Sequence, residues 1–479
     1  QDFGFVRRLL AANRVPMPDD FDASGFFAEH HTPLPPPDCG ERVCLQAMLG
    51  VMGNLANGGN CTLLQVGLNS PIAASPDNRP PLNLVVVVDV SGSMEADGKL
   101  DFVRDGLSQT VAELFDDDQL AIVKYSDRAE VVFELAPMRG HRNDMLRAVE
   151  SLVPEGSTNL HDGLRMGYEQ ALAAYDSGRQ NRVILLSDGL PTAGITDTDA
   201  ILSMSRRFNS DGVGLTTVGL GLDFNRALMS GLAQQGDGNF YFLENAAAVE
   251  EVFTEELSYF TVPVAFDVHL RVREGSDFRL RRAFGSPLFA ETEDGGRLDV
   301  PSVFLAHRVA HDDVGPGNGR RGGGSALLIE LEPVDEPTGE AGEATVGVVE
   351  IEFREPGSDA IIRQQVEVRS PDAPGTLRPE GFFENRIVEK SFVMLNIYVG
   401  MVMASEAFHV ERAPEAAIGI LQRVVAAAVD YEDSANDGAG DVDIDLDIEL
   451  MLDFIRVIEA NGGRPPVESD IPEDPWPAD

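Results

Sequence analysis

The sequence predicts a doubly wound α/β core, followed by a β-sandwich-like domain and a C-terminal helical region. Three observations carry this. Residues 82–260 alternate buried strands with amphipathic helices, residues 261–375 turn to strand-like runs between Gly- and Pro-rich turns, and residues 380–462 return to helical segments. A chain of 479 residues has room for about three such units.

Residues 1–81 form a mixed N-terminal segment. Phe5–Ala12 reads as a helix, Pro33–Pro37 as a Pro-rich turn region and Leu45–Leu55 as a second short helix. Thr62–Leu68 reads as a strand stopped by Asn69, Ser70 and Pro71. In the core, Leu84–Val90 is a continuous apolar run, the mark of a parallel strand buried on both faces. Leu100, Val103, Leu107, Val111 and Leu114 then step along one helical stripe. Strands follow at Leu120–Tyr125, Val131–Leu135, Val183–Ser187, Leu215–Leu220 and Phe240–Phe242. Helices are expected at Arg142–Leu152, Leu160–Tyr175, Asp199–Asn209, Asn225–Gln234 and Ala247–Phe260. In the β region, Val264–Val272, Leu327–Leu331, Val346–Phe353 and Ile361–Val368 are strand-like, and Gly315–Gly324 is a hairpin loop without the frame of a phosphate-binding loop. The strand at Thr62–Leu68 could join this later β region, which would make the α/β core an insertion; the alternative is a separate N-terminal lobe. Asn385–Ala407, Pro414–Val429 and Ile448–Ala460 are helical, with an acidic loop at 430–447, and residues 463–479 form a Pro-rich acidic tail.

The charge is strongly acidic: 37 Lys and Arg against 80 Asp and Glu, a formal net charge of −43. Phosphate backbones and anionic lipid surfaces are repelled by such a field, which excludes nucleic acid as a partner and leaves cations as natural small ligands. Only Lys99, Lys124 and Lys390 are lysines; the other basic residues are arginines. No uninterrupted apolar run reaches the roughly 18 residues of a spanning helix. Phe392–Ala404, the nearest, carries Asn396 and reads as a buried helix. The three cysteines, Cys39, Cys44 and Cys61, all lie near the N-terminus, which points to a local disulfide with one cysteine left over or paired elsewhere, and so to an oxidising compartment; the alternative is three reduced cysteines in a cytosolic protein. The chain opens at Gln1 without a basic and apolar leader, so an exported protein would be met here in its mature form.

The chemistry concentrates where the first core strand ends. Asp89-Val90-Ser91-Gly92-Ser93 follows the buried strand and precedes a helix, at the sheet edge where doubly wound folds bind ligands. Gly156-Ser157-Thr158-Asn159 offers a hydroxyl from the loop before the Leu160–Tyr175 helix, and Ser187-Asp188-Gly189 a carboxylate at the end of the Val183–Ser187 strand. Asp89, Ser91, Ser93, Thr158 and Asp188 are all hard oxygen donors, suited to Mg²⁺, Mn²⁺ or Ca²⁺. The alternative role for Ser93 and Thr158 is helix capping. Catalytic patterns are absent: there is no HExxH and no GxSxG.

The run DxSxS, then a loop Thr, then a strand-terminal Asp resembles the von Willebrand factor type A (VWA) domain and its metal-ion-dependent adhesion site, over about residues 82–260. The resemblance implies a Rossmann-like fold with Mg²⁺ as the usual ion. It implies that Asp89, Ser91, Ser93 and Thr158 hold the ion, with Asp188 binding directly or through water. It also implies a position completed by a partner's carboxylate. Val6-Arg7-Arg8-Leu9-Leu10 with Val15-Pro16 is similar to the N-terminal segment of bacterial VWA lipoproteins that carry a C-terminal domain of unknown function.

A second candidate cation site lies in the acidic loop, where Asp433, Asn436, Asp437, Gly438, Asp441 and Asp443 are spaced somewhat like a Ca²⁺ loop, although out of EF-hand register. The alternative is a solvated acidic stretch. The expected function is a non-enzymatic, exported protein that captures an acidic partner through a divalent cation. The alternative is a self-associating structural subunit of a surface layer, scaffold or filament.

Overall fold

A computed structural model describes residues 3–56, 58–72, 80–221, 224–236, 238, 240–243, 263–286, 288–304, 327–356, 358, 360–434, 438 and 440–463. The helix expected at Ala247–Phe260, the loop Gly315–Gly324, Asn436, Asp437 and the tail from 464 lie outside these residues.

The N-terminal segment contributes α1 (Gly4–Ala11), α2 (Ala23–Ala28), β1 (Cys44–Gly53) and β2 (Asn60–Asn69). The α/β domain then runs β3 (Leu82–Asp89), α3 (Lys99–Glu113), β4 (Gln119–Tyr125), β5 (Ala129–Pro137), α4 (Arg142–Glu150), α5 (Leu160–Ala173), β6 (Gln180–Ser187), α6 (Thr198–Ser210), β7 (Gly214–Leu220), α7 (Arg226–Gln235) and β8 (Phe240–Leu243). Its sheet has the order β5-β4-β3-β6-β7-β8, parallel except for the β4–β5 hairpin. Strand β3 is buried along its whole length. Leu84, Val86 and Val88 pack towards α3 and α4, and Val85 and Val87 pack towards α5, α6 and α7. The chain builds outward from β3 first through β4 and then through β6, so the end of β3 is the topological switch point. Helix α5 lies close on β3 and β4, because a Cβ at Gly167 or Gly163 would collide with Val87 or Tyr125. That approach fixes the loop before α5.

The second part is a two-layer β structure. After the α/β domain come β9 (Pro263–Glu274), β10 (Phe278–Phe284), β11 (Ala290–Thr292), β12 (Gly295–Phe304), β13 (Leu327–Pro333), β14 (Thr345–Arg354), β15 (Ile361–Arg369) and β16 (Phe382–Phe383). One sheet has the order β10-β13-β2-β1-β16 and the other β11-β12-β9-β14-β15. Strand β2 pairs with β13, so a strand from before the α/β domain is completed by one from after it. The shared core brings Leu45, Leu49, Leu64 and Val66 against Val268, Leu270, Val349 and Ile351.

The expected helix at Leu45–Leu55 is instead β1. It pairs residue by residue with β2, from Cys44 opposite Asn69 to Gly53 opposite Asn60. Its odd residues, Leu45 and Leu49, face the sandwich core, and Met48 faces the helical layer. A strand apolar on both faces loses its period-two signature and cannot be told from a buried helix by pattern.

The third layer is α8 (Arg386–His409), α9 (Pro414–Ser434) and α10 (Val442–Ala460). Helix α8 is long and apolar enough to cross a membrane, but 89% of its most apolar window is buried inside the protein. It packs on the outer face of the first β sheet, with Phe392 and Val388 against Met48, Leu63 and Phe284. Helix α1 joins the layers: Phe5 meets Phe224 and Phe242 of the α/β domain at ring distances of 6.0 and 5.7 Å, while Phe3, Val6 and Leu10 sit in the helical core.

Of the residues expected in the acidic loop, Asp433, Gly438, Asp441 and Asp443 are described, and the three aspartates lie in or at the start of helices. Helix α9 runs through Asp433, and α10 begins at Val442 with Asp441 as its N-cap, accepting from the Asp443 N–H. The cation between Asp441 and Asp443 is the protein's own: Lys390 Nζ lies 2.8 Å from a carboxylate oxygen of each. One helical turn on, Asp447 meets His30 Nε2 at 2.6 Å. The aspartates that alternate with apolar residues in sequence thus open a helix, where negative charge is favourable, and two of them point inward.

Cys39 and Cys44 form a disulfide at the entry to β1, and Cys61 is a buried thiol in β2. Burial pushes the Cys61 thiol well up, and Glu330 adds to the effect.

Burial alone would raise the Asp443 carboxyl, but Lys390, His30 and the His31 N–H hold it well below the usual range. Its stabilisation is complete above the unfolded value near 4 and is lost as pH falls through the lower folded value. Lys390→Met is expected to cost roughly 3 kcal/mol at pH 7, because it leaves a buried charge uncompensated. In urea denaturation between pH 5 and pH 2, the wild type should lose more stability than Asp443→Asn.

Candidate functional site

Five oxygen-bearing side chains meet at the carboxyl edge of the α/β sheet. Asp89 ends β3 with no solvent exposure. The backbone turns immediately after it, and the Ser91 N–H donates to Asp89 Oδ1 at 2.8 Å, so the carboxylate organises its own loop. The Gly92 N–H bonds the Gly156 carbonyl at 3.2 Å, tying this loop to the one that carries Thr158. Ser91 Oγ and Ser93 Oγ are 3.1 Å apart, and Ser93 Oγ donates to Asp188 Oδ1 at 2.7 Å. A Cβ built on Gly189 would lie 3.8 Å from Thr158 Oγ1 and 3.9 Å from Ser93 Oγ, so all three loops converge beside Gly189. The Thr158 loop is held in place by Thr192, whose hydroxyl accepts from the Thr158 N–H at 3.0 Å and whose own N–H donates to the Thr158 carbonyl.

The five residues read from the sequence are therefore brought together. Neither Ser93 nor Thr158 caps the helix that follows it: α3 has Gly98 as its N-cap, and α5 is capped by Asn159, whose side chain accepts from the Asp162 N–H. Among the described residues no group of three or more His, Cys, Asp or Glu is placed to hold a metal ion. The donor set at this edge is mixed, two carboxylates and three hydroxyls, and that hard-oxygen chemistry fits Mg²⁺ or Mn²⁺.

Three more residues belong to the site and escaped the sequence reading. Ser187 Oγ donates to Asp89 Oδ2 at 3.0 Å, and Tyr125 Oη lies 3.2 Å from the same oxygen. Lys99 Nζ is 2.7 Å from Asp188 Oδ2. Ser187 had a faint signal, as the residue before a strand-terminal Asp. Tyr125 had none, because β4 reaches Asp89 only through sheet pairing. Lys99 was marked only by the rarity of lysine.

Burial pushes the Asp89 carboxyl up to about 6, against the bonds from Ser91 and Ser187 that favour its charged form; Asp188 nearby adds to the rise. The Tyr125 phenol is pushed well up, by burial first and by Asp89 second. A buried carboxylate with a second one beside it is a place where positive charge is stabilised.

Residues 83–255 match the family model of the von Willebrand factor type A domain. The protein YfbK of Escherichia coli is 34% identical over 213 residues, covering 44% of this chain and 36% of that protein. Human inter-alpha-trypsin inhibitor heavy chain H2 is 24% identical over 182 residues, covering 34% of this chain and 18% of that protein. The match thus spans about a third or less of these relatives' lengths. A solved structure of a von Willebrand factor type A protein from Catenulispora acidiphila is 16% identical, with a TM-score of 0.51, over 88% of this chain and 98% of that one. That likeness is one of fold, and it extends past the α/β domain. The α/β domain described above is a VWA domain.

With a folded value near 6, Asp89 contributes most to the stability of the metal-free protein below the unfolded value near 4, and that contribution is lost as pH rises through about 6. Asp89→Asn should therefore raise the thermal midpoint of the metal-free protein at pH 7, by an amount equivalent to roughly 1–3 kcal/mol. It should also abolish the rise that Mg²⁺ gives the wild type. Differential scanning calorimetry with and without Mg²⁺ checks both signs.

Proposed function

We propose that the VWA domain of this chain is a non-enzymatic, metal-dependent binding module that acts outside the cytoplasm on a protein partner presenting a carboxylate. Asp89, Ser91, Ser93 and Thr158 would hold the divalent cation, with Asp188 binding directly or through water. The observation that carries the reading is the convergence of these five oxygen donors at the switch point of the sheet, around a carboxylate with no access to solvent. The family commonly mediates metal-dependent protein interactions, which supports the same reading.

The charge of the chain sharpens it. A protein with a net charge of −43 repels an acidic partner at long range. A divalent cation reverses the sign locally and gives an acidic side chain one attractive point on an otherwise repulsive surface. The Cys39–Cys44 disulfide supports an oxidising location.

The test is a pull-down from the native envelope and secreted fractions, comparing wild type with Asp89→Ala in Mg²⁺, in Ca²⁺ and in EDTA. A partner retained by wild type in Mg²⁺ and lost both in EDTA and with Asp89→Ala is the expected outcome. Partners indifferent to both changes would reduce the ion to a structural role and favour a self-associating scaffold subunit.

A further inference from the structure

Three lysines stand among 37 basic residues, and each ammonium meets a carboxylate. Lys390 lies between Asp441 and Asp443, and Lys124 meets Glu155 at 2.9 Å and Glu130 at 3.5 Å. Lys99 sits on Asp188, at the metal-site edge, with its side chain 12% exposed and that of Asp188 fully buried.

Two features show that Lys99 is placed by its surroundings. It is the first residue of α3, and a cation in the first turn opposes the helix dipole, so local helix energetics disfavour it. Its ammonium end also rests in a gap at Gly221, just after β7. There φ is +73°, and a Cβ would lie 3.0 Å from Lys99 Cε and 3.1 Å from Nζ. The two oxygens of Asp188 are divided: Oδ1 accepts from Ser93 and Oδ2 meets Lys99.

We propose that Lys99 is a tethered ammonium that tunes the metal site: seated on Asp188, it cancels one of the two carboxylate charges, so that the divalent cation is held less tightly and the loaded centre stays net positive towards an acidic partner. This rests on the reading of Asp89, Ser91, Ser93, Thr158 and Asp188 as that site. Two carboxylates and a divalent cation sum to zero, and the ammonium makes the sum positive. Lys99 is thus a positioning and charge-setting residue that trades affinity for the ion against affinity for the ligand.

The test is Mn²⁺ binding to the full chain, read as free ion by electron paramagnetic resonance. Lys99→Met is expected to bind Mn²⁺ about tenfold or more tightly than wild type, as removal of a unit charge at short range requires. Lys99→Arg, which keeps the positive charge on a bulkier group, should bind Mn²⁺ less tightly than Lys99→Met. Acetate, as a carboxylate probe, should bind the Mn²⁺-loaded Lys99→Met protein more weakly than the loaded wild type, read from water-proton relaxation. Gly221→Ala, which crowds the ammonium off its seat, should also tighten Mn²⁺ binding, and it carries the test if Lys99→Met fails to fold.

Unchanged or weaker Mn²⁺ affinity in a folded Lys99→Met, with Asp89→Ala having lost the ion, would overturn the proposal and leave the site standing. Tighter Mn²⁺ with undiminished acetate binding would overturn the part concerning the partner. Equal Mn²⁺ binding by Asp89→Ala and wild type would overturn the site reading, and the tuning with it.

Discussion

The α/β domain is arranged around a carboxylate that has been taken out of water. Asp89 stands at the end of a strand covered on both faces, and three polar groups are turned to it: the Ser91 N–H, the Ser187 hydroxyl and the Tyr125 phenol. Those bonds do not fully offset desolvation, which is why the carboxyl is pushed up to about 6. A buried charge that remains partly uncompensated stores a preference for a cation. The surrounding geometry exists to hold it in register: the close approach of α5, the loop-to-loop bond from Gly92 to Gly156 and the anchoring of Thr158 by Thr192.

The same logic recurs at the opposite end of the chain with a different outcome. The partly exposed Asp441 and the buried Asp443 also form a carboxylate pair, but there the cation is built in as Lys390. Its role is structural, joining α8 to the start of α10, while His30 and Asp447 bring in the N-terminal segment. One acidic cluster is closed by a side chain. At the other, Lys99 meets Asp188 at 2.7 Å and the Ser93 carbonyl at 3.5 Å, and this is the one proposed above as open to a ligand from outside.

Position within the whole molecule matters as much as the site itself. The α/β domain departs after β2 and returns before β9, and β2 is hydrogen-bonded into a sheet with strands from the far side of that excursion. Helix α1 adds aromatic contacts to Phe224, just before α7, and to Phe242 of β8, and buries its other face among the C-terminal helices. Arg226, at the start of α7, donates to the Asp19 carbonyl at 3.1 Å. Among the described residues, the domain thus meets the rest of the molecule through α1 and through the Arg226–Asp19 bond.

The sequence by itself determined the doubly wound core, the buried β3 and the five donors of the site. Those depend on local rules: a continuous apolar run marks a strand covered on both faces, a 3.6-residue stripe marks a helix, and a carboxylate at a strand end marks a ligand edge. Tertiary structure alone decided that Leu45–Gly53 is a strand, because its two apolar faces are distinguished only by the sandwich on one side and the helices on the other. It also decided that the alternating aspartates after Gly440 begin a helix and serve Lys390 and His30, partners 51 to 417 residues distant in sequence. Lys99 belongs with these. Its identity is plain in the sequence, but its meaning comes from Asp188 and Gly221, which only the folding of β6 and β7 beside α3 brings to its ammonium.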